Sequence, residues 1–168
     1  MNRLISTLIV LVILLLSGNK AYAAPRIAIL AFELNDITSL PNTPQEKIRT
    51  ASIQPLLEQA LKQSNSVEII HIPPATQAAA NSGLGYLFHF HELAAQLGGQ
   101  AGADWLVVGQ HSKPSFLYSY LMAQVINVKT RNLVASFAIE LKGNHASVTE
   151  HGVNALAKKI NGIINPAR

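Results

Sequence analysis

The chain has 168 residues, and its 13 Lys and Arg against 9 Asp and Glu give a formal net charge of +4. It has no cysteine, which excludes disulfides and thiol chemistry. Two of the basic residues, Arg3 and Lys20, lie in an amino-terminal segment that we expect to be removed, and the others form no basic patch with interleaved aromatic residues. The sequence therefore does not favour a nucleic-acid-binding protein.

The amino-terminal segment has the three parts of a cleavable secretion signal. Arg3 gives a positive start, Leu4 to Leu16 form an apolar run, and the small-x-small triplet Ala21 to Ala23 follows. A membrane-spanning helix needs roughly 20 apolar residues, and this run is shorter. We therefore predict a signal peptide over residues 1–23 and a periplasmic or secreted protein that keeps no stable membrane anchor.

Residues 24–168 have a length that suits one domain with a single core. The nearly continuous apolar run Arg26 to Leu34 predicts a strand that is covered on both faces. After a polar loop, the spacing of apolar residues over Glu46 to Ser64 predicts a helix, within which Pro55 marks a first turn or a kink. Val67 to Ile72 is the second predicted strand.

The second half of the chain favours a short helix, three successive strands and a closing helix. Early alternation of strand and helix, followed by a meander, is typical of an α/β fold. We therefore predict a two-layer α/β sandwich in the order β-α-β-α-β-β-β-α, with helices packed against a mixed sheet of about five strands. The predicted elements of this half are His91 to Leu97, Ala103 to His111, Phe116 to Val128, Leu133 to Lys142 and Ser147 to Ile164.

Five stretches of the mature chain share a pattern with known proteins: Ile27 to Leu34, Val67 to Ile70, Gly102 to Gly109, Val128 to Val134 and Ile139 to Asn144. They resemble an uncharacterised family of secreted bacterial proteins, which carries a domain-of-unknown-function label. Many members of that family have a cysteine pair before the short helix that leads to the third strand. This chain has Phe88 to Glu92 there, so a disulfide or redox role of such a pair cannot apply to it.

More distantly, the layout of elements resembles the amino-terminal domain of TolB and the periplasmic domains of CsgG and LpoB. Those proteins are envelope interaction modules. The resemblance implies a binding or assembly role and an envelope protein as partner, by analogy of fold.

Six histidines lie in the mature chain, and His89 and His91 form the densest group. In an extended segment these two imidazoles would point to the same side and could hold one copper or zinc ion, with His71 or His111 added from strand ends. In a helix they would point apart. The sequence has no HExxH motif and no Cys/His zinc spacing. A metal site and ordinary hydrogen-bonded histidines are therefore both open.

Two carboxylates, Glu33 and Asp36, follow the first strand. Ligands of open α/β sheets tend to bind beyond the carboxyl ends of strands, so these side chains could bind a cation or act in acid–base chemistry. Residues in such positions also commonly cap the next turn. The sequence leaves both roles open.

Tyr118 and Tyr120 lie two residues apart and so share one face of the fourth strand. Aromatic side chains are enriched at protein interfaces, and this face is a docking surface if no helix covers it. We find no G-x-S-x-G nucleophile motif. We therefore predict a non-enzymatic binding or assembly module without a cofactor. The alternative is a periplasmic copper, zinc or small-ligand-binding protein.

Overall fold

The computed structural model describes residues 24–64, 67–143 and 145–166, and the predicted signal peptide lies outside these ranges. In chain order, the elements are β1 Arg26–Ile29, β2 Glu33–Asp36, α1 Pro44–Lys62, β3 Glu68–Ile70, α2 Pro74–Ala80, α3 Tyr86–His89, α4 His91–Gln100, β4 Trp105–Lys113, β5 Tyr118–Asn127, β6 Asn132–Lys142 and α5 Ala146–Ile164.

The strands form one mixed sheet in the order β3-β1-β4-β5-β6, and β2 pairs with β4 beyond the end of β1. The pairs β1–β3, β1–β4 and β2–β4 are parallel, whereas β4–β5 and β5–β6 are antiparallel. This arrangement confirms the predicted α/β fold, in which helices pack against a mixed sheet.

The first predicted strand, Arg26 to Leu34, is divided into two short strands. Between them, the side-chain amide of Gln77 in α2 takes both backbone hydrogen bonds of Ala31. The Ala31 N–H donates to Gln77 Oε1 at 2.9 Å, and Gln77 Nε2 donates to the Ala31 carbonyl at 3.0 Å. Because Ala31 bonds to this side chain, it leaves the ladder with β4. The described sheet therefore has six strands, where about five were predicted.

Helices cover both faces of the sheet, whereas two layers were predicted. On one face, α1 and α5 pack against Ile27, Val107 and Leu121. On the other face, α3 and α4 pack against Ala28 and Leu106. Successive residues of a strand point to opposite faces, and both sets are apolar in β1 and β4, so both faces must be covered.

The second helical layer is incomplete. Ile126 of β5 is fully buried beneath it, and Gln124 Oε1 lies 2.9 Å from Nε2 of His91 at the start of α4. Nearer the start of β5, Tyr120 is only half-buried and Tyr118 is exposed. One face of the sheet is therefore open to solvent where β5 begins.

Helix α1 begins two residues earlier than predicted, at Pro44, because a proline is tolerated in the first turn, where no backbone N–H needs a partner. Thr43 caps it, and its hydroxyl accepts a hydrogen bond from the Glu46 N–H at 3.4 Å. The helix continues through Pro55 to Lys62. Among all the helices of the described residues, none combines the length and the apolar character that crossing a membrane requires.

Candidate interaction surface

Two tyrosines project from the open face of the sheet at the start of β5. The rings of Tyr118 and Tyr120 meet nearly edge to face, with centroids 5.8 Å apart and an interplanar angle of 75°. Their neighbours on β6 are Lys142 and Glu140, which are both exposed. We call these four residues the tyrosine face. Edge-to-face aromatic pairs are favourable, so the two rings stabilise each other in a fixed arrangement.

Between the two tyrosines, Ser119 points to the opposite, buried side of β5. Its Oγ lies 2.9 Å from His111 Nε2, and His111 Nδ1 lies 2.7 Å from Oγ1 of Thr50 on α1. Burial lowers the pKa of His111 to about 4, and the positive charge of Arg49 adds to this effect. The neutral imidazole therefore links helix α1 to the strand that carries the tyrosines.

A buried ionic cluster lies beside this histidine. Lys113 Nζ donates to Glu46 Oε1 at 2.9 Å, and Nη1 of Arg49 lies 3.7 Å from Glu46 Oε2. Arg49 also donates through Nε to Thr149 Oγ1 at 2.8 Å and through Nη2 to the Gly143 carbonyl at 3.1 Å. Burial lowers the pKa of Arg49, against the attraction of Glu46. The cluster joins α1, β4, the end of β6 and the start of α5.

Two loops extend beyond the carboxyl end of β4, and they expose large apolar side chains. In the loop over residues 37–43, Ile37 is 72% exposed and Leu40 is 65% exposed. In the loop over residues 114–117, Phe116 is 56% exposed and Leu117 is 79% exposed. We call these four side chains the apolar rim. The loops adjoin because the Ile37 N–H donates to the Lys113 carbonyl at 3.2 Å.

Asp36 is buried and holds the first of these loops. Its carboxylate accepts hydrogen bonds from the Thr38 N–H at 3.1 Å, from the Thr38 hydroxyl at 2.7 Å and from the Asn42 N–H at 3.0 Å. Although burial favours the protonated acid, these hydrogen bonds outweigh it and hold the pKa of Asp36 below its usual value. The turn-capping role that the sequence allowed for Asp36 is the one that its contacts show.

Glu33 holds a different segment, on the other side of β2. It accepts hydrogen bonds from Nδ2 of Asn81 at 2.5 Å and from the Gly85 N–H at 2.6 Å, and Nε2 of Gln110 lies 3.4 Å away. The two carboxylates are thus engaged with different loops. A ligand-binding role for Glu33 and Asp36 remains a prediction.

The structure gives the four histidines of the predicted metal site separate surroundings. His91 contacts Gln124, and His111 lies in the buried cluster described above. His89 meets the ring of Phe88 edge-on, and Nδ1 of His71 lies 3.6 Å from a carboxylate oxygen of α1. Over the described ranges, no three His, Asp or Glu side chains form a group that could hold a metal ion. The copper or zinc site remains a prediction.

Sequence reasoning missed the buried polar residues behind the tyrosines, although a signal for them was present. Glu46 and Thr50 continue the helical spacing of Ile53, Leu57 and Leu61, which are all buried. A charged residue at a core position of an amphipathic helix predicts a buried partner, because an unpaired buried charge is costly. Reading this stripe two turns further toward the amino terminus, past Thr50, would have identified Glu46.

Residues 25–160 match the model of the family described as "Protein of unknown function (DUF2380)". The chain belongs to this family. The predicted resemblance to an uncharacterised family is thereby confirmed. No curated protein matches this DUF2380 chain.

Solved structures show that the DUF2380 chain shares its fold with several bacterial proteins. The hypothetical protein CT253 from Chlamydia trachomatis is 9% identical, with a TM-score of 0.57 over 86% of this chain and 100% of CT253. Lipoprotein GNA1162 from Neisseria meningitidis is 10% identical, with a TM-score of 0.53 over 87% of this chain and 100% of its own. TolB from Acinetobacter baumannii is 16% identical, with a TM-score of 0.52 over 86% of this chain and 29% of TolB. These TM-scores show a common fold, and the predicted likeness to TolB is confirmed at the level of the fold alone.

Proposed function

We propose that this DUF2380 member is a non-enzymatic binding or assembly module of the bacterial envelope. It docks another envelope protein on its tyrosine face. The observation that carries the proposal is the pair Tyr118 and Tyr120, which stands on the part of a sheet face that the described helices leave open. Tyrosine offers a large, rigid contact area with a hydrogen-bonding tip, which suits it to protein interfaces.

The buried cluster supports this role because it fixes the strand beneath the tyrosines. Ser119 sits between them and is held through His111 to α1. A rigid docking surface loses little conformational entropy when a partner binds. His111 and Ser119 are residue types that also occur in catalytic sites, but here both are closed to solvent. His111 is 0% exposed and Ser119 is 1% exposed. A substrate would have no access to them.

An envelope location is supported by the predicted signal peptide over residues 1–23 and by the fold that the chain shares with a neisserial lipoprotein. The proposal places the mature protein in the periplasm or outside the cell.

Site-specific photo-cross-linking in the bacterium of origin tests the docking surface. A photoreactive phenylalanine analogue at position 120 is expected to give one cross-linked adduct of discrete mass with an envelope protein. Position 86 is a matched control, because Tyr86 is also a half-buried tyrosine but lies on α3. Adducts of equal yield at both positions, or no adduct at position 120, would count against the tyrosine face.

A further inference from the structure

The most exposed large apolar side chains of the described residues gather at one end of the molecule. Leu117, Ile37, Ile48 and Leu40 are 79%, 72%, 72% and 65% exposed, and no other large apolar residue of the described ranges exceeds them. Ile48 lies in the second turn of α1, the helix that follows the first rim loop in the chain. Soluble proteins rarely leave such a cluster in water unless it contacts something.

Several backbone N–H groups of the two rim loops are already hydrogen-bonded within the protein. Asp36 accepts from the N–H groups of Thr38 and Asn42. Ser115 Oγ accepts from the N–H groups of Leu117 at 3.0 Å and Tyr118 at 3.3 Å. Leaving water costs free energy for each unpaired backbone group, so these bonds lower the cost of moving the loops into an apolar medium.

The two rim loops themselves carry no charge. Residues 37–43 and 114–117 include no charged side chain. The ionisable groups beneath them, among them Glu46 and Lys113, are buried and paired. Two exposed lysines border the rim, Lys47 in the first turn of α1 and Lys142 opposite Tyr118. The nearest exposed carboxylate on β6, Glu140, lies further along the strand from the rim, opposite Tyr120. Neutral apolar tips flanked by lysines match the surface of an anionic bilayer, where lysine ammonium groups are attracted to lipid headgroups.

We propose that the apolar rim inserts into the surface of an anionic lipid bilayer while Lys47 and Lys142 contact the headgroups. This is a reversible peripheral contact and involves no spanning segment. It adds a lipid surface to the protein partner of the tyrosine face, and Lys142 is the one side chain that the two contacts share.

Co-sedimentation of the exported protein with vesicles tests the inference. Vesicles of phosphatidylglycerol and phosphatidylethanolamine are compared with vesicles of phosphatidylcholine alone, at low and high salt. Binding is expected with the anionic vesicles and is expected to weaken with salt. The variants Leu40→Ser and Leu117→Ser are each expected to bind about tenfold more weakly, because each removes a large apolar side chain from the inserted surface.

Leu84→Ser is the matched control. Leu84 is 63% exposed, close to the 65% of Leu40, but it lies in the turn before α3. This variant is expected to bind vesicles like the wild type, and circular dichroism establishes that all three variants fold. Absence of binding to anionic vesicles, or equal losses in all three variants, would overturn the inference. Self-association of the free protein that Leu117→Ser abolishes would also overturn it, since the rim would then be a protein contact.

Discussion

The buried histidine predicts a specific loss of stability in mild acid. His111 is 0% exposed, and burial, aided by Arg49, lowers its pKa from 6.5 to about 4 in the folded protein. The unfolded chain therefore binds more protons than the folded one between these two values, and stability must fall as the pH falls through this window. The stabilisation is fully present above pH 6.5 and is lost as the pH approaches 4.

The size of the effect follows from the two pKa values. Protonating His111 costs about 3 kcal/mol more in the folded protein than in the unfolded chain. Between pH 7 and pH 5 the expected loss in the free energy of unfolding is about 2 kcal/mol. The carboxylates with lowered pKa values, Asp36 and Asp104, begin from 3.8 and so lose their contribution only in stronger acid.

Urea unfolding at pH 7 and pH 5, followed by the fluorescence of Trp105, measures this difference. The control is His111→Gln, which keeps a hydrogen-bonding side chain but cannot take up a proton in this range. The variant is expected to be less stable than the wild type at both pH values. Between pH 7 and pH 5, however, its free energy of unfolding is expected to fall by about 2 kcal/mol less than that of the wild type. If both proteins lose the same stability between pH 7 and pH 5, the argument from burial fails.

Two further predictions concern the charged and the histidine clusters. Lys113→Met leaves the buried carboxylate of Glu46 without its closest partner, and we expect a loss of about 3–5 kcal/mol in urea unfolding. The double variant Glu46→Gln/Lys113→Met should recover much of that loss, and a double variant no more stable than the single one would contradict this account. In calorimetry with copper(II) and zinc(II), the wild type and the variant His89→Ala/His91→Ala are expected to show the same weak binding, because the described residues place no three-ligand group around these histidines. Tight binding by the wild type alone would favour the metal-binding alternative.

The elements with strong periodicity could be predicted from the sequence to within a few residues. The alternation over Leu133 to Lys142 matches β6, and the apolar stripe after Ser147 matches α5. Ser147 and Glu150 have the spacing of a capping box, but none forms, because the helix starts at Ala146 and His145 occupies the cap position. A cap depends on the position of a single residue, so a helix can be predicted correctly while its cap is not.

Features that depend on distant residues could not be predicted in the same way. The break after β1 exists because Gln77, far along the chain, takes the hydrogen bonds of Ala31. Helices on both faces of the sheet could have been predicted, because the apolar run from Arg26 already indicates a strand that is buried on both sides. The ion pair of Glu46 with Lys113 could not be predicted without the structure, because only the folded sheet brings the start of α1 beside the end of β4.

The ionic cluster has a consequence for how the polypeptide acquires its structure. Arg49 donates to Thr149, which is 100 positions later in the chain, and to Gly143, which is 94 positions later. Until α5 is present, the guanidinium of Arg49 lacks these acceptors. The amino-terminal part of the chain therefore gains little stability by folding before it. If this chain crosses a membrane amino terminus first, it would thus stay unfolded until nearly all of it has crossed. It would then fold as one cooperative unit.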